Sequence, residues 1–205
     1  NSNEHVTSSM DTALEPLRLA DGPIIKSVTN LGGPAGIESQ QDADNAAVQV
    51  IDIIKRNNSA DAFVIACFSD PGIYAAREVT NKPVFGIAES GILTALSLGS
   101  SFGILAILDT SVPRHMRYIR SLGLEKRLAG DLAIGLGVAE LSDEKKTFRR
   151  LLEVGRKLRD NCESSVLILG CAGMARYRHG LQESLGIPVV DPSQAAVSMA
   201  VSAVL

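Results

Sequence analysis

A motif that occurs twice constrains this chain more than any other feature. The first copy reads ADAFVIACFSDPGIYAAREVTNKPVFGIAES and the second SSVLILGCAGMARYRHGLQESLGIPVVDPS. In each, an apolar run of buried type ends in a cysteine, followed by a turn of small residues and a helix-length stretch. An x-Pro-Val step, a second apolar run and an acidic residue leading to serine complete the unit. Cys67 precedes Pro83 by 16 residues and Ser90 by 23, while Cys171 precedes Pro188 by 17 and Ser193 by 22. Two half-structures that each carry a thiol at a strand end can face one another across a cleft. Chemistry that needs one thiol on each side of a carbon atom is then the first to consider.

The surrounding sequence supports that architecture. Short β-branched runs alternate with amphipathic stretches, the pattern of an α/β fold with parallel sheets and crossover helices. Strands are expected near 23–29, 62–66, 84–87, 102–108, 166–169 and 189–190. Helices are expected over 4–20, 39–57, 89–98, 113–123, 173–185 and 193–205. Ala43, Ala47, Val50, Ile51 and Ile54 mark the apolar face of the 39–57 helix. Ser142 reads as the cap of a further helix with Phe148, Leu151, Leu152 and Leu158 on one face. Pro71 suits a first helical turn, the Gly32–Gly36 cluster is a loop, and 128–139 reads as a loop with a short strand. The repeat argues for two pseudosymmetric lobes with the active site in the cleft between them. Residues 1–88 with 191–205 make the lobe that carries Cys67, and 89–190 the lobe that carries Cys171.

Composition narrows the partners. A net charge of −3 and the absence of Trp leave neither a basic footprint nor base-stacking platforms for nucleic acid. No apolar run reaches membrane-span length and no signal peptide is visible. Three cysteines, an odd number, do not suggest a disulfide framework. A reducing cytoplasm is the simplest setting, and a homo-oligomer the expected assembly. The chain opens on Asn1 rather than Met.

Both repeat cysteines fall at the carboxyl end of an expected parallel strand, the edge where open α/β sheets bind ligands. A helix start there supplies free N–H groups and a positive dipole end, which lower a thiol pKa toward neutrality and cradle a developing oxyanion. A buried Cys is otherwise just a small hydrophobe, but recurrence at matching positions favours the functional reading. Cys162 lacks a counterpart and reads as structural. Metal chemistry is disfavoured: there is no Cys-x-x-Cys, and His5, His115 and His179 are scattered and read as surface residues. Gly135-Leu-Gly137 lacks dinucleotide spacing, so no nucleotide cofactor is expected. Ser69, Asp70, Asp109, Thr110, Ser111, Glu89-Ser90 and Asp191-Pro-Ser193 are the polar residues at strand ends. For Ser90 and Ser193, a helix cap is the stronger reading.

At these residues the chain resembles the aspartate/glutamate/hydantoin racemase superfamily, and within it the hydantoin and allantoin racemase branch. The resemblance is carried by Ile65-Ala66-Cys67-Phe68-Ser69-Asp70-Pro71-Gly72, Ala75-Ala76-Arg77-Glu78, Gly86-Ile87-Ala88-Glu89, Leu169-Gly170-Cys171-Ala172-Gly173-Met174 and Ile187-Pro188-Val189-Val190-Asp191. Asn1-Ser2-Asn3 resembles the end of a family loop that follows a first strand, and the Gly33–Glu38 region another loop near the substrate. The resemblance implies cofactor-independent and metal-free racemisation, with Cys67 and Cys171 as the two acid/base residues. It implies that Asn1, Ser2, Phe68, Ser69, Thr110, Ala172 and Gly173 line the site. It also implies a five-membered ureide substrate, a 5-substituted hydantoin or allantoin. Phe68 and the lack of a nearby Arg or Lys count against an amino-acid carboxylate. An aspartate or glutamate racemase, a single-cysteine decarboxylase or isomerase of the same fold, and a ureide-binding protein with packing thiols are the alternatives.

Overall fold

The computed structural model describes residues 2–205. Along the chain run α1 (Glu4–Ala13), α2 (Gln40–Arg56), β1 (Phe63–Ile65), α3 (Ile73–Val79), β2 (Val84–Gly86), α4 (Ile87–Leu98) and β3 (Phe102–Ala106). There follow α5 (Val112–Ser121), β4 (Leu128–Ala133), α6 (Glu144–Asp160), β5 (Val166–Leu169), α7 (Arg178–Leu185), β6 (Val189–Val190) and α8 (Pro192–Val204). Strands β1 and β2 form one sheet, and the second has the order β4-β3-β5-β6. Every adjacent pair is parallel. This is the expected α/β architecture, parallel sheets flanked by helices.

Strands β3 and β5 lie inside the four-stranded sheet and are covered on both faces. Phe102, Ile104, Leu105 and all of Val166–Leu169 are fully buried, which is why they read as unbroken apolar runs rather than as alternating ones. Helix α6 turns Leu151, Val154 and Leu158 into the same core. Burying each such side chain is worth about 1.5–3 kcal/mol. The smaller sheet has its own core, in which Ile54 of α2, Ile65, Ile73, Ala76 and Val84 pack together.

Several local expectations differ from the structure. Residues 23–29 join no strand ladder: Ile24 is 96% exposed and Val28 51%. Side chains hold this run instead, Ser27 Oγ donating to Asp11 at 2.5 Å and Thr29 Oγ1 to Thr7 Oγ1 at 2.9 Å. β-propensity extends a chain, but a ladder also needs a free partner edge. The first helix stops at Ala13 and continues as a 3-10 turn through Glu15–Leu17, because Pro16 has no N–H to extend an α-helical ladder. Residues 128–133 form a full strand paired with β3. The cap of α6 is Asp143, which accepts from the Lys146 N–H at 3.1 Å; Ser142 instead closes a 3-10 segment and donates to the Ala139 carbonyl.

Candidate active site

Cys67 lies two residues past the end of β1 and Cys171 two past the end of β5. The carboxyl edges of the two sheets thus converge. Both thiols line a single cavity of about 50 Å³, together with Phe68, Ser69, Ala172 and Gly173. The repeat therefore places its two cysteines in one site. Gly170 makes the close approach possible at the second thiol: its N–H bonds to the Leu105 carbonyl at 2.9 Å, and a Cβ there would press on that backbone.

Two of the expected contributors sit differently. Ser2 donates to the Pro34 carbonyl at 3.0 Å and so braces the 34–38 loop rather than lining the cavity. Thr110 is exposed and donates to the Glu38 carbonyl at 3.1 Å; its neighbour Ser111 is the cavity residue. Asn1 lies outside the described residues. The 34–38 loop crosses the site, contributing Gly36 and Ile37, and Glu38 ties it down by accepting from the Val138 N–H at 3.0 Å.

The thiols do not have the electrostatics that their sequence neighbours suggested. Burial pushes the Cys67 thiol up, and that of Cys171 up to about 11. Hydrogen bonds from Ser69 to Cys67, and from the Gly173 backbone to Cys171, pull in the opposite direction but are outweighed. The expected lowering fails for a structural reason. Helix α3 begins only at Ile73, and Cys171 precedes a 3-10 segment, Ala172–Tyr177, with α7 starting at Arg178. A helix dipole fades within its first turn, and neither cysteine stands in the first turn of an α-helix. A charge on Cys67 also pushes Cys171 further up, so the pair favours one thiolate facing one thiol.

The sequence reading missed the contribution of α5. Arg114 and His115 both line the thiol cavity, which corrects the expectation that no cation lies near. Burial pulls the Arg114 guanidinium below its ordinary value, and a charge on Cys67 pulls the other way. His115, read as a surface residue, is buried, with 5% exposure. Its Nδ1 lies 2.8 Å from Asp131 Oδ2 on β4, and its ring meets Phe68 edge-to-face at 5.1 Å. The available signal was helical spacing: Ile119, four residues on, is buried on the same face of α5. His5 and His179 are exposed. Cys162 packs against the main core. Among the described residues no group of three His, Cys, Asp or Glu side chains could hold a metal ion.

Two aspartates brace the arms that carry the thiols. Asp70 accepts from the Ala88 and Glu89 N–H groups at 2.9 Å each and so caps α4 from a distance. Burial raises its carboxyl to about 7. Gly86 permits this, because a Cβ there would collide with the Asp70 carboxylate. Asp191 caps α8 locally, accepting from the Ser193 N–H at 3.0 Å, and burial raises it to about 6. Ser90 lies inside α4 and Ser193 inside the first turn of α8, so neither is the cap that its position suggested.

Two half-buried thiols thus line one cavity at the carboxyl ends of parallel strands, on an α/β fold. The chain belongs to the Asp/Glu/Hydantoin racemase family, whose model matches residues 1–200. It is 35% identical over 198 residues to a hydantoin racemase from Pseudomonas sp. (strain NS671), covering 95% of this chain and 79% of that protein. Among solved structures it is similar to the allantoin racemase from Klebsiella pneumoniae, with a TM-score of 0.90 and 31% identity over all of this chain and 84% of that one. An allantoin racemase from Pseudomonas fluorescens gives a TM-score of 0.94 at 27% identity, over all of this chain and 87% of that one. The protein is thus an isomerase of the racemase type. Among the described residues no helix is long and apolar enough to cross a membrane.

Proposed function

We propose that this racemase inverts the C5 centre of a five-membered ureide ring, a 5-substituted hydantoin or allantoin, by a two-thiol mechanism. The observation that carries the reading is the shared cavity, which Cys67 and Cys171 both line. One sulfur, as thiolate, takes the C5 proton, and the electron pair of that C–H bond moves into the adjacent ring carbonyl. The opposite thiol gives its proton to the other face of C5 and becomes the thiolate. The proton count is unchanged, and the negative charge has passed from one sulfur to the other. The Coulomb coupling of the pair suits this exchange, since it favours a single charge shared between two sites.

The ring carbonyl receives the charge, so the chemistry calls for donors at its oxygen rather than for a metal or an organic cofactor. The backbone N–H groups after each cysteine, at Phe68, Ser69, Ala172 and Gly173, are the candidate donors. Asn1, Ser2 and Thr110 would then act at the rim, and the lobes 1–88 with 191–205 and 89–190 would enclose the substrate. Cys67→Ser and Cys171→Ser are each expected to lower racemisation by at least about 100-fold, followed by the optical rotation of enantiopure 5-substituted hydantoins and allantoin. Full activity in either variant would refute the mechanism.

A further inference from the structure

A second cavity, of about 250 Å³, adjoins the thiol site. The two share Phe68, Ser69, Arg114 and His115 as a common wall, and the larger one adds Gln40, Arg117 and Tyr118. Two guanidinium groups therefore face one space, one turn apart on α5. Their hydrogen bonds all go to neutral acceptors. Arg114 donates to the Glu38 and Thr110 carbonyls at 3.2 and 3.0 Å and to Ser111 Oγ at 3.2 Å. Arg117 donates to Gln40 Oε1 at 2.7 Å. The Arg114 Nε is buried and has no partner.

Carboxylates do lie near, and Asp42 attracts the Arg114 guanidinium, but their hydrogen bonds go to other groups. Asp42 closes the capping box of α2, accepting from the backbone N–H groups of Glu38 and Ser39 and from Ser39 Oγ. Asp70 is held by the first turn of α4, and Asp131 by His115. The charge of Arg117 works against that of Arg114. Arg117 is exposed and Arg114 half-buried, so the cavity presents two like charges and one buried unpaired donor to whatever enters it.

From this arrangement, and resting on the reading that the thiols act on a ureide ring, we infer that the second cavity receives the C5 substituent and selects one that carries an anionic group. Phe68 and Ser69, the residues directly after Cys67, line both spaces. A carboxylate on a short alkyl arm matches the guanidinium fork in charge and planarity. The substrate class is then a 5-(carboxyalkyl)hydantoin rather than a 5-alkyl or 5-aryl one.

The test compares 5-(2-carboxyethyl)hydantoin with its carboxamide, which has the same shape without the charge, on the wild-type enzyme. Charge-assisted hydrogen bonds predict a preference for the carboxylate of at least about tenfold in kcat/KM, carried mainly by KM. Arg117→Gln should lower that ratio by about tenfold, and Arg117→Lys should restore part of it. Equal turnover of the two compounds, or a preference for the carboxamide, overturns the inference while leaving ureide racemisation standing. Turnover of free glutamate with no hydantoin turned over overturns both readings.

Discussion

The two copies of the cysteine motif follow the same path and build their ends of the site by different means. The second arm is made of shape. Cys171 follows the fully buried strand β5, and the residues after it are Ala172 and Gly173, which offer backbone and space. The first arm is made of charge. Cys67 follows a strand of a two-stranded sheet, and Ser69, Asp70, Arg114, His115 and Tyr118 cluster behind or beside it. A thiol packed against a large core is positioned by packing, because displaced side chains there have nowhere to go. A thiol on a thin sheet lacks that support, and long-range polar contacts position it. The two thiols thus sit beside unlike walls, although the sequence repeat is close to symmetric.

The largest effects should come from the thiols themselves, and they also test how far the arms differ. In deuterated solvent each Cys→Ser single variant keeps one base, so it should exchange the C5 proton of one enantiomer only, and the two variants should choose opposite enantiomers. Mass spectrometry of recovered substrate reads this directly; exchange of both enantiomers by one variant would break the assignment of one thiol to each face.

Next in size is the polar support of the first arm. Asp131→Asn removes the carboxylate against which His115 is buried, and is expected to cost about 1–3 kcal/mol of unfolding free energy by denaturant titration. A cost under about 0.5 kcal/mol would show that packing alone holds α5. Gly86→Ala should cost about 1–3 kcal/mol, since the new methyl displaces the Asp70 carboxylate from the start of α4.

The smallest effect separates the two caps by pH. The Asp70 carboxyl is raised to about 7 and that of Asp191 to about 6. A raised carboxyl binds its proton more tightly when folded, so each group lowers stability as pH climbs from about 4 through its folded value. The stability lead of wild type over Asp70→Asn should therefore narrow as pH rises from 4 to 7, and that over Asp191→Asn should stop narrowing nearer 6. Denaturation midpoints across pH read both slopes; a lead that widens with pH would reverse the sign.

Much of this was legible in the chain because it is local. Parallel strands that are buried on both faces leave continuous apolar runs, and a βα junction leaves small residues, so β1, β3, β5 and the cavity residues around Cys67 and Cys171 could be read directly. Residues 23–29 misled because an extended run and a paired strand look alike until a partner edge is found. His115 misled because α5 is short and studded with arginines, and helical spacing tells which residues share a face but not what that face meets.

The sequence by itself determined the fold class, the repeat and the pairing of two cysteines at strand ends, since these follow from periodicity and from residues adjacent in the chain. Only the tertiary structure decided the electrostatics. Burial depth, the late helix starts and the arrival of Arg114 and His115 from α5 set the charge around the thiols. Coulomb and desolvation energies depend on distance and surroundings in space, and no spacing along the chain encodes either.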